Sequence, residues 1–537
     1  MNNRKHNRFM PIIMAVCVVV GILIGTFYAN HFSGNRLSII NSGSNKLNNL
    51  LHIVEDQYVD TVNVGDLVEK AMPQILSELD PHSVYIAAKD VQIANDDLRG
   101  SFSGVGIEFT IRHDTLHVQQ VISNGPAERA GLIAGDKIVQ VDGDNFTGKK
   151  LTNEEAMHRL KGPKDTKVKL GIKRRSVAET LFFTVTRDKI PVKSIDAVYM
   201  IRPGVGYIRI ENFGATTYTE FMAGLATLQE QGMESLILDL QENGGGYLEA
   251  AVRIANEFLE DNDLIVYTEG NKQKRRDYLA DGSGSLKKGR VVVLVNEFSA
   301  SAAEIVTGAI QDQDRGIVVG RRSFGKGLVQ RPIDLPDESM IRLTVAHYYT
   351  PSGRCIQKPY KKGELKEYEQ DFENRLKHGE LTNRDSIHFS DSLRYETLRK
   401  HRTVYGGGGI MPDEFVPLDT LQYTRFHRQL AAKNIIINNN LRYIDNNRKQ
   451  LRNKYKSFEL FNREFEVPQT LIDTILVDAE KEKVKPKDDD ELQRTLPYLR
   501  LQLKALVARD LWDMSEYFQI MNERNDIVQR ALEVIQQ

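Results

Sequence analysis

Two short runs, Leu236-Ile237-Leu238-Asp239-Leu240 and Val291-Val292-Val293-Leu294-Val295, limit what this chain can fold into more than any other feature. Their branched apolar side chains read as strands buried from water. Each is followed by a turn of small residues and then by helical spacing. Asn243-Gly244-Gly245-Gly246 leads into a helix from Leu248 to Leu259, and Phe298-Ser299-Ala300-Ser301-Ala302-Ala303-Glu304 into one from Ser301 to Ile310. Val205 to Ile210 reads as a further strand and Tyr218 to Gln231 as a helix. Leu328 to Leu335 and Met340 to Tyr349 flank Pro336-Asp337-Glu338-Ser339 as a hairpin. Residues 189–418 therefore read as a mixed α/β core, with a charged surface excursion over 360–402.

The whole chain has 537 residues, too many for one hydrophobic core, so three or four domains are expected. Its 72 Lys and Arg nearly cancel its 73 Asp and Glu, which leaves no basic field to attract nucleic acid. Residues 9–29 carry no charge and follow Arg4, Lys5 and Arg8. This pattern reads as an uncleaved transmembrane anchor behind a short cytoplasmic tail, 1–8, in preference to a cleaved signal peptide. The expected location is the cytoplasmic membrane, single-pass, with the catalytic body outside the cytoplasm and in the periplasm of a Gram-negative cell. Cys17 and Cys355 are the only cysteines, and with one in the apolar segment no internal disulfide is expected. The Asn/Ser/Gly-rich residues 30–46 read as a flexible linker. Residues 47–98 read as a small helical domain interrupted by the turn Asp80-Pro81-His82-Ser83. Residues 419–537 read as a helical accessory region through which the chain could form a homo-oligomer.

Between 99 and 188 the pattern changes to short strands separated by glycine turns. Gly104-Val105-Gly106-Ile107 opens a strand; Pro126-Ala127-Glu128-Arg129-Ala130-Gly131-Leu132 and Gly135-Asp136 follow, then a helix near Asn153 to Leu160. This combination resembles a PDZ domain. The resemblance implies that Gly104, Val105, Gly106 and Ile107 bind a peptide's terminal carboxylate on backbone N–H groups, while the strand edge adds the peptide as an extra strand.

Ser301 and Glu304 have capping-box spacing, and taken alone that pattern is usually a helix cap. The setting adds chemistry. A buried strand delivers the serine on a turn of small residues, and the helix N-terminus places free N–H groups beside its hydroxyl. Further along, Arg322-Ser323-Phe324-Gly325-Lys326-Gly327-Leu328-Val329 contains no acid. A lysine buried there is pushed toward its neutral form, which a general base requires. In a strand, Lys326, Leu328 and Gln330 share one face, so a neutral Gln330 can aim Lys326 without holding it charged. The Gly244-Gly245-Gly246 turn lacks the Lys-Ser/Thr of a phosphate loop, and no nucleotide, metal or other cofactor is implied.

These residues resemble the carboxy-terminal processing peptidases, or tail-specific proteases, across about Leu47 to Asp413. Tyr348-Tyr349-Thr350-Pro351-Ser352-Gly353-Arg354 and Gly408-Gly409-Ile410-Met411-Pro412-Asp413 add to the match. The resemblance implies Ser301 as nucleophile, Lys326 as general base, Gln330 as its orienting residue, and Gly245 and Ala302 as oxyanion donors. It gives Asp312 a supporting role. Asn243-Gly244-Gly245-Gly246 replaces the family's Asn-Pro-Gly-Gly, which leaves the oxyanion glycine open by one position. The expected fold is a multidomain α/β protein: a mixed α/β peptidase core with an inserted PDZ domain, an N-terminal helical region and a helical C-terminal extension. The expected activity is serine endopeptidase, acting on proteins or peptides with apolar C-termini. Two rivals are a Ser-His-Asp hydrolase with His347 as base and a membrane-anchored PDZ adaptor on an inactive peptidase fold.

Overall fold

The computed structural model describes residues 14–22, 26, 34–96, 98–112, 114–122, 124–148, 151–174, 177–419 and 421–536. The chain divides into two units, Met1–Glu78 and Leu79–Gln537.

In the first unit, residues 14–22 are helical, and helices Gly34–Gln57 and Val64–Ser77 follow. Among the described residues no helix is long and apolar enough to cross a membrane. This overturns the single-pass anchor over 9–29 and the membrane location drawn from it. A helix over residues 14–22 rises only about 14 Å, less than half of the ~30 Å hydrocarbon layer. The other residues of 9–29, apart from 26, lie outside the described residues. The long helix Gly34–Gln57 fails by composition, since it carries Arg36, Lys46, Glu55 and Asp56. Its helical backbone also runs through most of the stretch read as a linker. Asn, Ser and Gly are weak helix formers, but a helix propagates cooperatively where no proline stops it.

The second unit is organised by a six-stranded sheet in the order Ile195–Arg202, Val205–Ile210, Ser235–Asp239, Val291–Val295, Ile317–Gly320 and Glu414–Phe415. The first pair is antiparallel and the others run parallel. Alternation of side chains along each strand gives the sheet two buried faces. Leu236, Leu238, Val293 and Val295 join helices Thr217–Glu230, Leu248–Asn256 and Ala302–Asp312 on one face. Ile237, Val292, Leu294 and Val319 meet Ile527, Val528, Ala531 and Leu532 of the C-terminal helix Asp526–Val534 on the other. The C-terminal region thus completes the core of the central sheet. Its remaining helices, between Arg425 and Leu511, have their own core around Phe426, Ile444, Phe461, Ile472 and Leu503.

A second sheet stands beside the first. Leu328–Asp334 and Met340–Tyr349 pair antiparallel from Leu328↔His347 to Asp334↔Met340, the hairpin expected from the sequence. Val84–Ile86 pairs with the hairpin's second strand, which brings the Asp80–Ser83 turn against it. The PDZ sheet runs Ile107–Arg112, Thr115–Val121, Lys137–Val141, Lys167–Lys173 and Thr180–Thr186, leaving Ile107–Arg112 as an edge strand. Antiparallel pairing of Ser101–Gly104 with Asp188–Pro191 closes its neck.

Val528 is fully buried against the sheet. Val528→Asp should therefore cost about 3 kcal/mol or more, since the carboxylate has no partner there. Urea unfolding of the full chain should begin earlier and limited proteolysis should open sites in 419–537. An unchanged midpoint and cleavage pattern would remove this helix from the core.

Candidate active site

The serine turn is laced to the glycine turn beside it. Asn296 Oδ1 accepts from the N–H of Glu242 at 2.9 Å and of Phe298 at 3.1 Å. Ser299 donates its hydroxyl to the Leu240 carbonyl at 2.7 Å, and the Ala300 N–H reaches the Asn243 carbonyl at 2.8 Å. At the end of this turn Ser301 takes φ 56° and ψ −114°, a conformation that side-chain-bearing residues rarely adopt. Its N–H donates to Glu304 Oε2 at 2.8 Å, while the Glu304 N–H goes to the Ser301 carbonyl at 2.9 Å. The serine hydroxyl makes no cap hydrogen bond and remains available.

Gly245 sits directly against this serine. Its φ is +102°, and a Cβ there would lie 2.7 Å from Ser301 Cβ, 2.9 Å from the Ala300 carbonyl and 3.0 Å from the Ala302 nitrogen. Only glycine tolerates both the conformation and the approach. The Ala302 N–H has no hydrogen-bond partner among the described residues. The Gly245 N–H, by contrast, donates to Asn243 Oδ1 at 2.8 Å, so only one of the two expected donors is free here.

The lysine segment crosses the same helix end. Glu304, wholly buried, accepts from the N–H of Gly325 at 2.8 Å and of Lys326 at 2.9 Å, as well as from the Ser323 hydroxyl. The Tyr348 hydroxyl lies 3.0 Å from the Ser301 carbonyl and also contacts that of Lys326. Ser301 and Lys326 are therefore fastened together twice, through their N–H groups by Glu304 and through their carbonyls by Tyr348. Burial pushes the Glu304 carboxyl up from its ordinary range, and its four donors oppose that rise.

Lys326 Nζ donates to Gln330 Oε1 at 2.9 Å. A register shift between Val329 and Gln330 interrupts the hairpin at this point, and such a bulge re-aims the side chain that follows it. The other end of the amide is fixed, Gln330 Nε2 donating to the His82 carbonyl. Burial, helped by the charge of Arg342, pushes the Lys326 ammonium down to about 8, against the opposing charges of Glu304 and Asp80.

The Asp80–Ser83 turn belongs to this site although it reads from sequence as a break in a helical domain. Asp80 accepts from the His82 N–H, the Ser83 N–H and hydroxyl, and the Thr344 hydroxyl. These bonds hold the His82 carbonyl under Gln330. The His82 ring meets the Tyr368 hydroxyl at 2.8 Å, and burial followed by the charge of Lys326 pushes it down to about 4. It is neutral at pH 7. The charged excursion also reaches the site: buried Arg375 donates to the carbonyls of Ser323 at 2.9 Å and Phe324 at 3.0 Å. Only the D-x-x-x-R spacing of Asp371 and Arg375, which pair at 2.9 Å, hints at this ordering.

His347 Nδ1 lies 3.9 Å from Cys355 Sγ, on the hairpin strand. Asp312 is buried, pairs with Arg354 at 2.7 Å and accepts from Ser352, so it anchors the Thr350–Arg354 turn. In the PDZ unit, the Val105 and Gly106 carbonyls accept from Ala127 and Ile122. Gly106 takes φ +76°, and Gly104 to Ile107 lie at the start of the edge strand. Among the described residues one cluster has metal-ligating side chains at close quarters, Asp90, Glu154 and His158, and it shares no residue with the Ser301–Lys326 site.

Residues 204–364 match peptidase family S41, 94–173 the PDZ domain, and 426–513 a family of unknown function (DUF8443). A carboxy-terminal-processing protease of Bartonella bacilliformis is 37% identical over 309 residues, 57% of this chain and 70% of the relative. A probable CtpA-like serine protease of Staphylococcus saprophyticus is 31% identical over 359 residues, 66% of this chain and 72% of the relative. Among solved structures, a photosystem II D1 C-terminal processing protease is 29% identical, with 58% of this chain and 89% of that chain covered and a TM-score of 0.32.

Glu304→Gln removes the charge and one acceptor from four converging donors. It should cost about 2–4 kcal/mol, read as an earlier urea unfolding transition of the full chain. A transition identical to that of the unchanged chain would show that the carboxylate does not hold the two segments.

Proposed function

Since the chain belongs to the carboxy-terminal-processing protease family and is a peptidase, we propose that it is a serine endopeptidase in which Ser301 and Lys326 form the catalytic pair. The observation that supports this best is the double fastening of the two residues by Glu304 and Tyr348, with the base depressed to about 8 and held on Gln330.

Neutral Lys326 takes the Ser301 hydroxyl proton as Oγ attacks the scissile carbonyl carbon. Negative charge develops on the carbonyl oxygen beside the Ala302 N–H, at the positive end of helix Ala302–Asp312. Gly245 supplies the second donor once its bond to Asn243 Oδ1 opens, so the resting site holds half an oxyanion hole. The Lys326 ammonium then returns its proton to the leaving amine. Water, deprotonated by Lys326, splits the acyl ester and regenerates Ser301. Gln330 is a positioning residue, and the His82 carbonyl keeps its amide in one orientation.

The substrates are proteins or peptides with apolar C-termini, recognised through the PDZ domain. The edge strand Ile107–Arg112 is unpaired on one side, and Gly104 to Ile107 stand at its start, where a terminal carboxylate meets backbone N–H groups.

Full-length protein incubated with an unfolded substrate ending in apolar residues should cleave it, and should cleave the same substrate ending in Asp-Asp far more slowly. Ser301→Ala and Lys326→Ala should each lower kcat/KM by about three orders of magnitude or more while leaving tail binding intact. Cleavage that survives both substitutions would sink the Ser/Lys assignment. Tail-dependent binding with no cleavage by the unchanged chain would point to an adaptor. The pH profile carries its own sign. The base acts neutral, so kcat/KM should climb about tenfold per unit below pH 8 and level above it. Gln330→Glu places a carboxylate beside the ammonium and should move that limb upward; a limb that stays put would detach Lys326 from the titration.

A further inference from the structure

Two cavities sharing Thr110, Arg112, Lys137 and Arg442 form a continuous cleft of 480 and 770 Å³ between the PDZ domain and the C-terminal helices. It begins where the edge strand ends, at Arg112. Its two walls carry seven Lys and Arg side chains against three carboxylates. On the helical wall the cations are paired: Arg442 and Lys481 with Asp478, Lys433 with Glu482. On the PDZ wall, Lys137 and Lys173 are exposed and Arg112 is half-buried, and none of the three has an ion pair among the described residues. Arg112 meets only the Asn438 carbonyl, at 3.4 Å, and its Nε is buried without an acceptor. Burial, then the like charge of Arg442, pushes its guanidinium below the ordinary value, against the opposing charge of Asp445. Asp445 is the one carboxylate of the lining that faces Arg112, Arg174 is taken by Asp136, and the cations of the lining still outnumber its carboxylates, a surplus that an anion in the cleft would offset.

The direction of the edge strand says which part of a ligand arrives there. A terminal carboxylate at Gly104–Ile107 leaves the upstream chain to run antiparallel along Ile107–Arg112. At about 3.4 Å per residue, the segment some five to eight residues before the C-terminus reaches Arg112 and enters the cleft. Nearer the loop, Glu108 has Arg509, Asp510 and Asp513 around it, so the charge there is mixed. We infer that this cleft is a second specificity site, which selects substrates carrying an acidic segment about five to eight residues upstream of an apolar C-terminus. The inference rests on the tail-recognition reading above and adds a charge requirement to it.

The test uses full-length Ser301→Ala protein and fluorescent peptides that share the same four apolar C-terminal residues. Positions five to eight from the end are Glu, Gln or Lys, and a fourth peptide ends in Asp-Asp. Anisotropy at low salt should rank the Glu peptide about tenfold tighter than Gln, and Lys weaker still, from several pairs of modest energy each. The difference should shrink at about 0.5 M salt, where the Debye length falls to ~4 Å. Arg112→Gln with Lys137→Gln should flatten the ranking while the Gln peptide keeps its affinity, which also reports that the domain remains folded. Equal binding of the Glu and Lys peptides would overturn the charge site alone. Equal binding of the apolar and Asp-Asp tails, or of none, would overturn tail recognition and this inference with it.

Discussion

The buried carboxylate of Glu304 is the constraint on which the rest of the site depends. It accepts from Ser301, Ser323, Gly325 and Lys326, and so joins a turn leaving the central sheet to a segment entering the hairpin sheet. A carboxylate this deep is tolerated only with such a set of donors. An acid near Lys326 ought to stabilise its ammonium and spoil it as a base. Here the carboxylate binds the lysine's backbone N–H, while Nζ points to the neutral Gln330. Burial therefore still outweighs the attraction, and the ammonium is held down at about 8. One group organises the site without cancelling the burial effect on which the proposed base role of Lys326 rests.

Support for this hub comes from three distant parts of the chain. The Asp80–Ser83 turn fixes Gln330 through the His82 carbonyl. Arg375, from the charged excursion, holds the carbonyls of Ser323 and Phe324. Helix Asp526–Val534 covers the second face of the sheet whose strand delivers the serine. Each contributes hydrogen bonds or apolar cover rather than chemistry, and each is remote in sequence from what it supports.

That remoteness explains what was legible in the sequence. The buried strands at Leu236 and Val291, the hairpin, the PDZ pattern and the pairing of Ser301 with Lys326 are carried by local runs and short spacings. The backbone links made by Glu304, His82 and Arg375 are long-range, and their neighbourhoods carry no mark of them beyond the i,i+4 spacing of Asp371 and Arg375. Glu304 reads as a capping residue, which it is, but the two N–H groups arriving from Gly325 and Lys326 cannot be read from its own helix. Strict strand alternation put Lys326 and Gln330 on one face, whereas the observed contact is made beside a bulge. The charged segment 360–402 reads as solvated because its ion pairs, such as Arg375 with Asp371 and Arg322 with Glu380, are formed only on folding. The apolar stretch before residue 30 has the hydropathy of a span, but among the described residues no helix is long and apolar enough to be one.

The bond between Gly245 and Asn243 is not isolated from the PDZ domain. At the PDZ neck, the Leu98 carbonyl accepts from Ala215 at 2.8 Å, and a Cβ on Gly100 would strike Thr216 Oγ1 at 2.6 Å. From that loop the Phe213 N–H reaches the Gly245 carbonyl at 2.9 Å, and the Phe213 carbonyl accepts from Tyr247 at 2.7 Å. A continuous path of backbone contacts therefore runs from the neck, through residues 211–216, to the glycine beside the serine. Contiguity alone is not coupling, which requires an element with two arrangements that both ends can bias. The Asn243–Gly246 turn has the makings of one. Gly245 and Gly246 lie at φ values of +102° and +144°, and a single side-chain amide ties up the Gly245 N–H. On the proposed reading, a substrate oxygen would take the place of that amide at the Gly245 N–H.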